Sequence, residues 1–141
     1  MAVTDMTTDE RVEFLGGVHI GILSIERNAK GPLALPIWYL YDDGDVVISM
    51  DGDSLKAKLL RRAGRATMTV QDENPPYRYV MIEGPVTLQE PDLDVSVLAV
   101  RYLGPELGAQ YAAQNASTAE SVLVRLTPER WLTCDYGKAY S

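Results

Sequence analysis

The residues best able to do chemistry lie in one ten-residue stretch, 56–65, KAKLLRRAGR. It carries Lys56, Lys58, Arg61, Arg62 and Arg65, five of the thirteen basic residues in the chain. A solvated helix face would explain such a run, but its position points further. With Asp53 or Ser54 as N-cap, Lys56 falls in the first turn of a helix and Lys58 just after it. Cations there oppose the helix dipole, by about 0.3–1 kcal/mol each. A bound anion reverses that sign, because the free N–H groups of a helix start already point outward. Ser49 and Ser54 add hydroxyls nearby. The expectation is a phosphate site where strand 46–50 meets this helix, with the rest of the ligand along the apolar strands beside it.

Other chemistry is sparse. His19 is the one histidine and Cys134 the one cysteine. That excludes an internal disulfide and a Cys/His zinc site. His19 has no partner assignable from sequence and reads as structural; Cys134, beside Trp131 and Leu132, reads as a small buried hydrophobe. Asp42, Asp43 and Asp45 lack the twelve-residue calcium pattern and suit a hairpin turn better. No metal site is expected. Neither GxGxxG nor GxxxxGK[ST] occurs. Asn115-Ala116-Ser117 has the glycosylation pattern, which carries no meaning in a cytosolic chain.

The elements that must position the basic run follow from periodicity and turn residues. Residues 7–15 read as a helix with a Thr7/Glu10 capping box, and 18–25 as a strand. A loop at 28–32 leads to a hairpin of strands 34–41 and 46–50 around Asp42-Asp43-Gly44-Asp45. Pro36 marks an edge or a bulge. The helix over 53–63 has Leu55, Leu59 and Ala63 on one face with Leu60 beside them, and Gly64 stops it. Strand 66–71 alternates, and strand 77–88 has a bulge expected at Gly84-Pro85. A helix over 91–103 starts at Pro91, with Leu93, Val97 and Val100 on one stripe. A short helix over 105–113 follows, and 121–126 and 130–135 are the last strands, or one long bent strand with Thr127-Pro128 at the bend. The whole reads as a mainly β protein, a small antiparallel barrel of about six strands with peripheral helices.

Composition fits that picture. The chain has 141 residues, 46% of them hydrophobic, which suits one domain over 1–141 with a real core. Thirteen basic against twenty acidic residues give a net charge of −7. That argues against a general nucleic-acid binder, which needs a cationic surface. No apolar run approaches the roughly 20 residues of a membrane span, and the N-terminus lacks a secretory pattern. A cytoplasmic location is expected.

The order of these segments resembles a known family. The hairpin, then SMDGDSLKAKLLRR, ATMTV and RYVMIEGPV, is similar to the pyridoxamine-phosphate-oxidase-like split barrels. Within them it most resembles the actinobacterial flavin/deazaflavin oxidoreductases of the B branch, many of which use coenzyme F420. The strongest pieces are Lys56-x-Lys58-x-Leu60-Arg61 and Ile82-Glu83-Gly84-Pro85-Val86. The resemblance implies a six-stranded split barrel and a homodimer with two cofactor sites at its interface. It assigns Lys56 and Lys58 to the cofactor phosphate, Ser49 and Met50 to backbone contacts with the ring, and Pro36, Ile37 and Trp38 to the strand along which the ring lies. Gln71 and the 77–79 stretch, Tyr79 included, fall where the family brings partner-subunit residues to the site.

The phosphate oxidases carry a glutamine where this chain has Tyr79, and basic C-terminal residues where it has only Lys138. Both departures point away from oxidation of pyridoxamine phosphate. Arg61, Arg62 and Arg65 would suit the polyglutamate tail of F420 or plain surface charge. The expected activity is an F420-dependent reductase that passes a hydride to an unsaturated small molecule. The cofactor would supply the reactive atom, so no triad is needed. The alternatives are an FMN-dependent enzyme of the same fold and a non-catalytic protein that binds such a cofactor.

Overall fold

Thr7 caps the first helix. Its hydroxyl accepts from the Glu10 N–H at 3.2 Å, and the Glu10 carboxylate accepts from the Thr7 N–H at 2.7 Å. The reciprocal pair satisfies two free donors and sets α1 at Thr8–Gly16, as the spacing predicts. The structure is a computed structural model that describes residues 2–89, 93–115 and 121–140. Pro91 and the 116–117 part of the glycosylation pattern lie outside the described residues.

Strands β1 (Gly21–Arg27) and β2 (Lys30–Ile37) form a hairpin, so the expected 28–32 loop is shorter than its sequence suggests. β2 ends one path of the sheet, where Pro36 costs no ladder bond. The single strand expected over 34–41 is two strands. β2 stops at Ile37 and β3 runs Leu40–Asp42. Tyr39 explains the break: its N–H donates to the Tyr102 hydroxyl at 3.0 Å and its own hydroxyl to the Leu15 carbonyl at 3.0 Å. Asp43 and Gly44, with φ of 49° and 84°, turn β3 into β4 (Asp45–Asp51) through a two-residue connection. Arg125 holds Asp42 and Asp45, each at 3.2 Å, so the turn aspartates belong to an ion-paired hairpin.

Ser54 caps α2 (Leu55–Ala63) by accepting from the Ala57 N–H at 3.2 Å, and Gly64 ends it at φ 69°. The helix buries Ala57, Leu59 and Leu60. Leu55, expected on that stripe, is 58% exposed. At about 100° per residue it lies well off the arc centred between Leu59 and Ala57.

β5 (Arg65–Asp72) buries Ala66, Met68 and Val70 and leaves Thr67 and Thr69 half-buried, the alternation read from sequence. β6 (Arg78–Gln89) keeps regular register with β5 as far as Arg65↔Pro85, so Gly84-Pro85 makes no bulge in that ladder. Instead β6 changes partners there, pairing with β7 (Ser121–Leu126) from Val86 onward and with β8 (Arg130–Asp135) before it. A Cβ on Gly84 would stand 1.9 Å from the Thr127 carbonyl oxygen, so the crossing needs glycine. Strand order is β2-β1-β5-β6-β7-β4-β3, with β8 also on β6. Eight antiparallel strands replace the expected six, because 34–41 and 121–135 each divide. Leu23, Ile25, Met68, Val80 and Ile82 meet Ile48, Val124 and Leu126 inside, at about 1.5–3 kcal/mol for each fully buried side chain.

α3 (Val95–Gln114) joins the two helices expected near the end across a kink at Gly104, φ 85° and ψ 172°, followed by Pro105. Its buried residues are Leu98, Ala99 and Gly108; Val97 and Val100, expected on the core stripe, are exposed. Arg101 and Tyr102 explain the rotation. Arg101 donates to the carbonyls of Gly16 and Gly17 at 3.2 and 2.8 Å, and Tyr102 binds the 38–39 linker, so the 98/99/101/102 arc faces the barrel. No helix among the described residues is long and apolar enough to cross a membrane.

Candidate functional site

The end of β2, the middle of β4, the first turn of α2 and α3 meet at a cleft of about 280 Å³. Pro36, Ile37 and Trp38 line one side, Ser49 and Lys56 another, and Leu98 and Tyr111 close it from α3 with the 93–95 segment. The sheet topology brings these elements together: β4 runs into α2, and β2 ends at the linker that Tyr102 clamps.

Trp38 is the fixed wall. Its ring lies on Tyr102, centroids 5.1 Å apart and planes 5° from parallel, and meets Tyr111 at 5.2 Å and 54°. The Tyr102 hydroxyl donates to the His19 carbonyl at 2.6 Å while accepting from the Tyr39 N–H at 3.0 Å. Burial pushes the pKa of this phenol upward. Such fixed hydrogen bonds position an aromatic platform at little further entropic cost.

Lys56 is the cation of the cleft. It is half-buried and makes no ion pair or hydrogen bond among the described residues. The first turn of α2 holds no acidic residue. Asp94 also reaches the cleft, but its carboxylate caps α3 by accepting from the Ser96 N–H at 2.9 Å, which holds its pKa below the ordinary value. The cleft thus combines an apolar, aromatic wall with one uncommitted cation at a helix start. That donor set suits a planar ring bearing an anionic group.

Of the residues singled out from sequence, Pro36, Ile37, Trp38, Ser49 and Lys56 share this cleft. Met50, next along β4, points the other way and is buried in the core. Ser54 lies at the same helix start as the cap of α2. Lys58 is exposed, about 200° around the helix from Lys56, so the two cannot line one cleft. Arg62 shares the outward side of Lys58. Arg61 donates to the Gly52 carbonyl at 2.6 Å, which braces the loop entering α2. Arg65 pairs with Glu129 at 2.8 Å. Gln71 and Tyr79 are direct partners across β5 and β6 but stand away from the cleft within one chain. Gln71 lines a separate hollow with His19 and Ile22, and Tyr79 tilts against Tyr136 at 6.4 Å. His19 stacks on Phe14 at 4.6 Å, and burial lowers its pKa, as befits a structural histidine.

Sequence reasoning missed the α3 contribution: Asp94, Leu98, Tyr102 and Tyr111. Gly104-Pro105 signals a break, but nothing local shows that the chain returns across Trp38.

A family model described as pyridoxamine 5'-phosphate oxidase matches residues 7–135. No curated protein matches the chain. Among solved structures, the conserved hypothetical protein Rv2991 from Mycobacterium tuberculosis is 23% identical, with a TM-score of 0.81 over 100% of this chain and 92% of that one. A structure described as an F420 reductase is 20% identical, TM-score 0.67, over 85% and 94% of the two chains. An FAD-binding protein from Mesorhizobium loti is 18% identical, TM-score 0.66, over 91% and 94%. At these identities the structures show a shared fold. With the family model spanning nearly the whole chain, and eight antiparallel strands closed around one core, the chain belongs to the pyridoxamine 5'-phosphate oxidase family of split barrels.

Proposed function

We propose that this protein is an oxidoreductase that binds coenzyme F420 in the Trp38–Lys56 cleft and reduces an unsaturated small molecule. The observation that carries the reading is the meeting of an uncommitted Lys56 with the Pro36–Trp38 wall in one cleft. Lys56, with the N-terminus of α2, would hold the phosphodiester. Pro36, Ile37 and Trp38 would carry the ring, and the Ser49 position on β4 would border it. Bound F420 supplies hydride chemistry at its deazaflavin ring. The chain's own part is to hold that ring flat, keep water from one face and fix the charge at its tail. Lys58 and Arg62, on the outward side of α2, would meet the extended carboxylates of the tail. The structural likeness to an F420 reductase supports this choice.

A specific observation favours a second reading, FMN. Of the basic run only Lys56 lines the cleft, and one phosphate needs no more. Cofactor absorbance after purification separates the two, since the flavin and deazaflavin rings have visible bands at different wavelengths. Return of the oxidised cofactor's visible band on adding a conjugated acceptor to the reduced form separates an enzyme from a carrier.

The reading includes a homodimer in the cytoplasm. At about 280 Å³ the cleft stands at the small end of ordinary ligand pockets, and a second copy would enlarge it. Ile22 is exposed on the outer face of the β1–β2 hairpin, where it pairs in register with Pro36, and Ile20 is exposed just before β1. A second copy seated there would border the cleft and cover this apolar patch. Light scattering at micromolar concentration tests it: a dimer mass is expected, and a monomer that binds cofactor fully would overturn it.

A further inference from the structure

α3 turns back on itself, and two glycines make the return. In a straight helix Leu98 and Tyr111 would stand about 20 Å apart, at 1.5 Å per residue. Here both line the same cleft. Gly104 adopts φ 85° and ψ 172° in the middle of the element, a backbone region that side-chain-bearing residues avoid. Gly108 then lies so close to the first half that a Cβ would stand 2.6 Å from the Val100 Cα. The second half is thereby pressed against the first, and Tyr111 arrives at Trp38, 5.2 Å between centroids.

Tyr102 and Tyr111 both contact Trp38, yet they are used differently. The Tyr102 hydroxyl is committed to His19 and Tyr39. The Tyr111 side chain makes no hydrogen bond among the described residues and is 37% exposed at the cleft. Tyr102 therefore serves the fold, while Tyr111 presents a free aromatic surface and a free hydroxyl. Leu98 adds apolar surface from the same helix. The cleft has one wall from β2 and another from α3, which gives each of two stacked reactants an aromatic or apolar face.

We propose that Tyr111 is a substrate-contacting residue, and that the substrate is a planar, conjugated ring compound held against the Tyr111–Leu98 wall. This rests on the reading that the Pro36–Trp38 wall takes the cofactor ring. Aromatic contacts of this kind prefer offset or edge-to-face geometry, and the tilt between Tyr111 and Trp38 leaves Tyr111 able to adopt either toward an incoming ring.

The test uses 2,3-dimethyl-1,4-naphthoquinone, which has no free position on its quinone ring for thiol addition, as the probe. Its binding is measured by equilibrium dialysis against wild type, Tyr111→Phe and Tyr111→Ala, with oxidised F420 or FMN present, and the affinity of each cofactor is measured separately. Tyr111→Ala is expected to weaken quinone binding about fivefold to tenfold. Tyr111→Phe should restore it to within about twofold of wild type, and cofactor affinity should stay within about twofold throughout. Unchanged quinone binding in Tyr111→Ala overturns the proposal. So does a parallel loss of cofactor affinity, which would make Tyr111 part of the cofactor wall. If neither cofactor binds wild type, the proposed function fails, and the quinone dialysis still decides the role of Tyr111.

Discussion

Trp38 lies flat on Tyr102, 5.1 Å between ring centroids and 5° from parallel, and the Tyr102 hydroxyl ties the same linker to the barrel by accepting from the Tyr39 N–H at 3.0 Å. One side chain of α3 thus sets both the backbone that interrupts the β2–β3 run and the ring that walls the cleft. The linker conformation and the site are a single arrangement.

Replacing Tyr102 with phenylalanine keeps the stack and removes the hydroxyl. The Tyr39 N–H and the His19 carbonyl then lose their partner, at about 1–3 kcal/mol if water does not replace it. Chemical denaturation is expected to show that loss. Cofactor affinity should fall less in Tyr102→Phe than in Tyr102→Ala, which also removes the ring behind Trp38.

Lys56 and Lys58 are not equivalent. Lys56→Ala should weaken cofactor binding by about 1.5–3 kcal/mol, the usual loss of a charged hydrogen bond. Lys58→Ala, exposed on the far side of α2, should cost no more than about 1 kcal/mol. The unliganded protein should be unchanged or slightly more stable in either variant, since a cation leaves the start of a helix. Titration calorimetry and thermal unfolding of the same variants check both halves.

The ranking of the two lysines shows what the sequence could convey. The capping residues Thr7 and Ser54, the stop at Gly64 and the alternation through Ala66, Met68 and Val70 depend on neighbours within a few positions, and each is legible. The pairing of Pro36–Trp38 with Lys56 is legible only through the family resemblance. Trp38-Tyr39 read as continuous strand because both are good strand formers; their interruption depends on Tyr102, more than sixty residues away. Val97 and Val100 read as core because their spacing is helical, but the arc that faces the barrel is chosen by Arg101 and Tyr102. Tyr111 reaches the cleft through a chain reversal that local patterns do not encode.

Gly84 marks the point where β6 passes from one set of partners to the other. Gly84→Ala would place a methyl group 1.9 Å from the Thr127 carbonyl oxygen. The Thr127 N–H already donates to the Pro85 carbonyl and the Glu129 N–H to the Glu83 carbonyl, so this backbone has little freedom to retreat. The variant is expected to lose about 3 kcal/mol or to fail to accumulate as folded protein. Wild-type stability by urea denaturation would show that the crossing tolerates a side chain.

Glu10 gives the fold an acid-sensitive contact. Its carboxylate accepts from Lys138 Nζ at 2.6 Å and from the Thr7 N–H, and chiefly the lysine holds its pKa down to about 2, against an ordinary 4.5. A depressed carboxylate stabilises the fold above its unfolded pKa, and that contribution is lost as pH falls toward the folded value. Between about pH 4.5 and pH 2 the thermal midpoint should therefore fall more steeply in wild type than in Glu10→Gln. Equal slopes would remove the contact from the acid response.

The central claim is that the Trp38–Lys56 cleft receives a deazaflavin whose tail follows α2. Parallel titrations of F420 and FMN, at low salt and above about 0.1 M, where the Debye length is near 10 Å, test it most directly. F420 is expected to bind more tightly than FMN, to lose more affinity as salt rises, and to be weakened more than FMN by Arg62→Ala. Tighter binding of FMN, or equal loss of both cofactors in Arg62→Ala, would contradict the account.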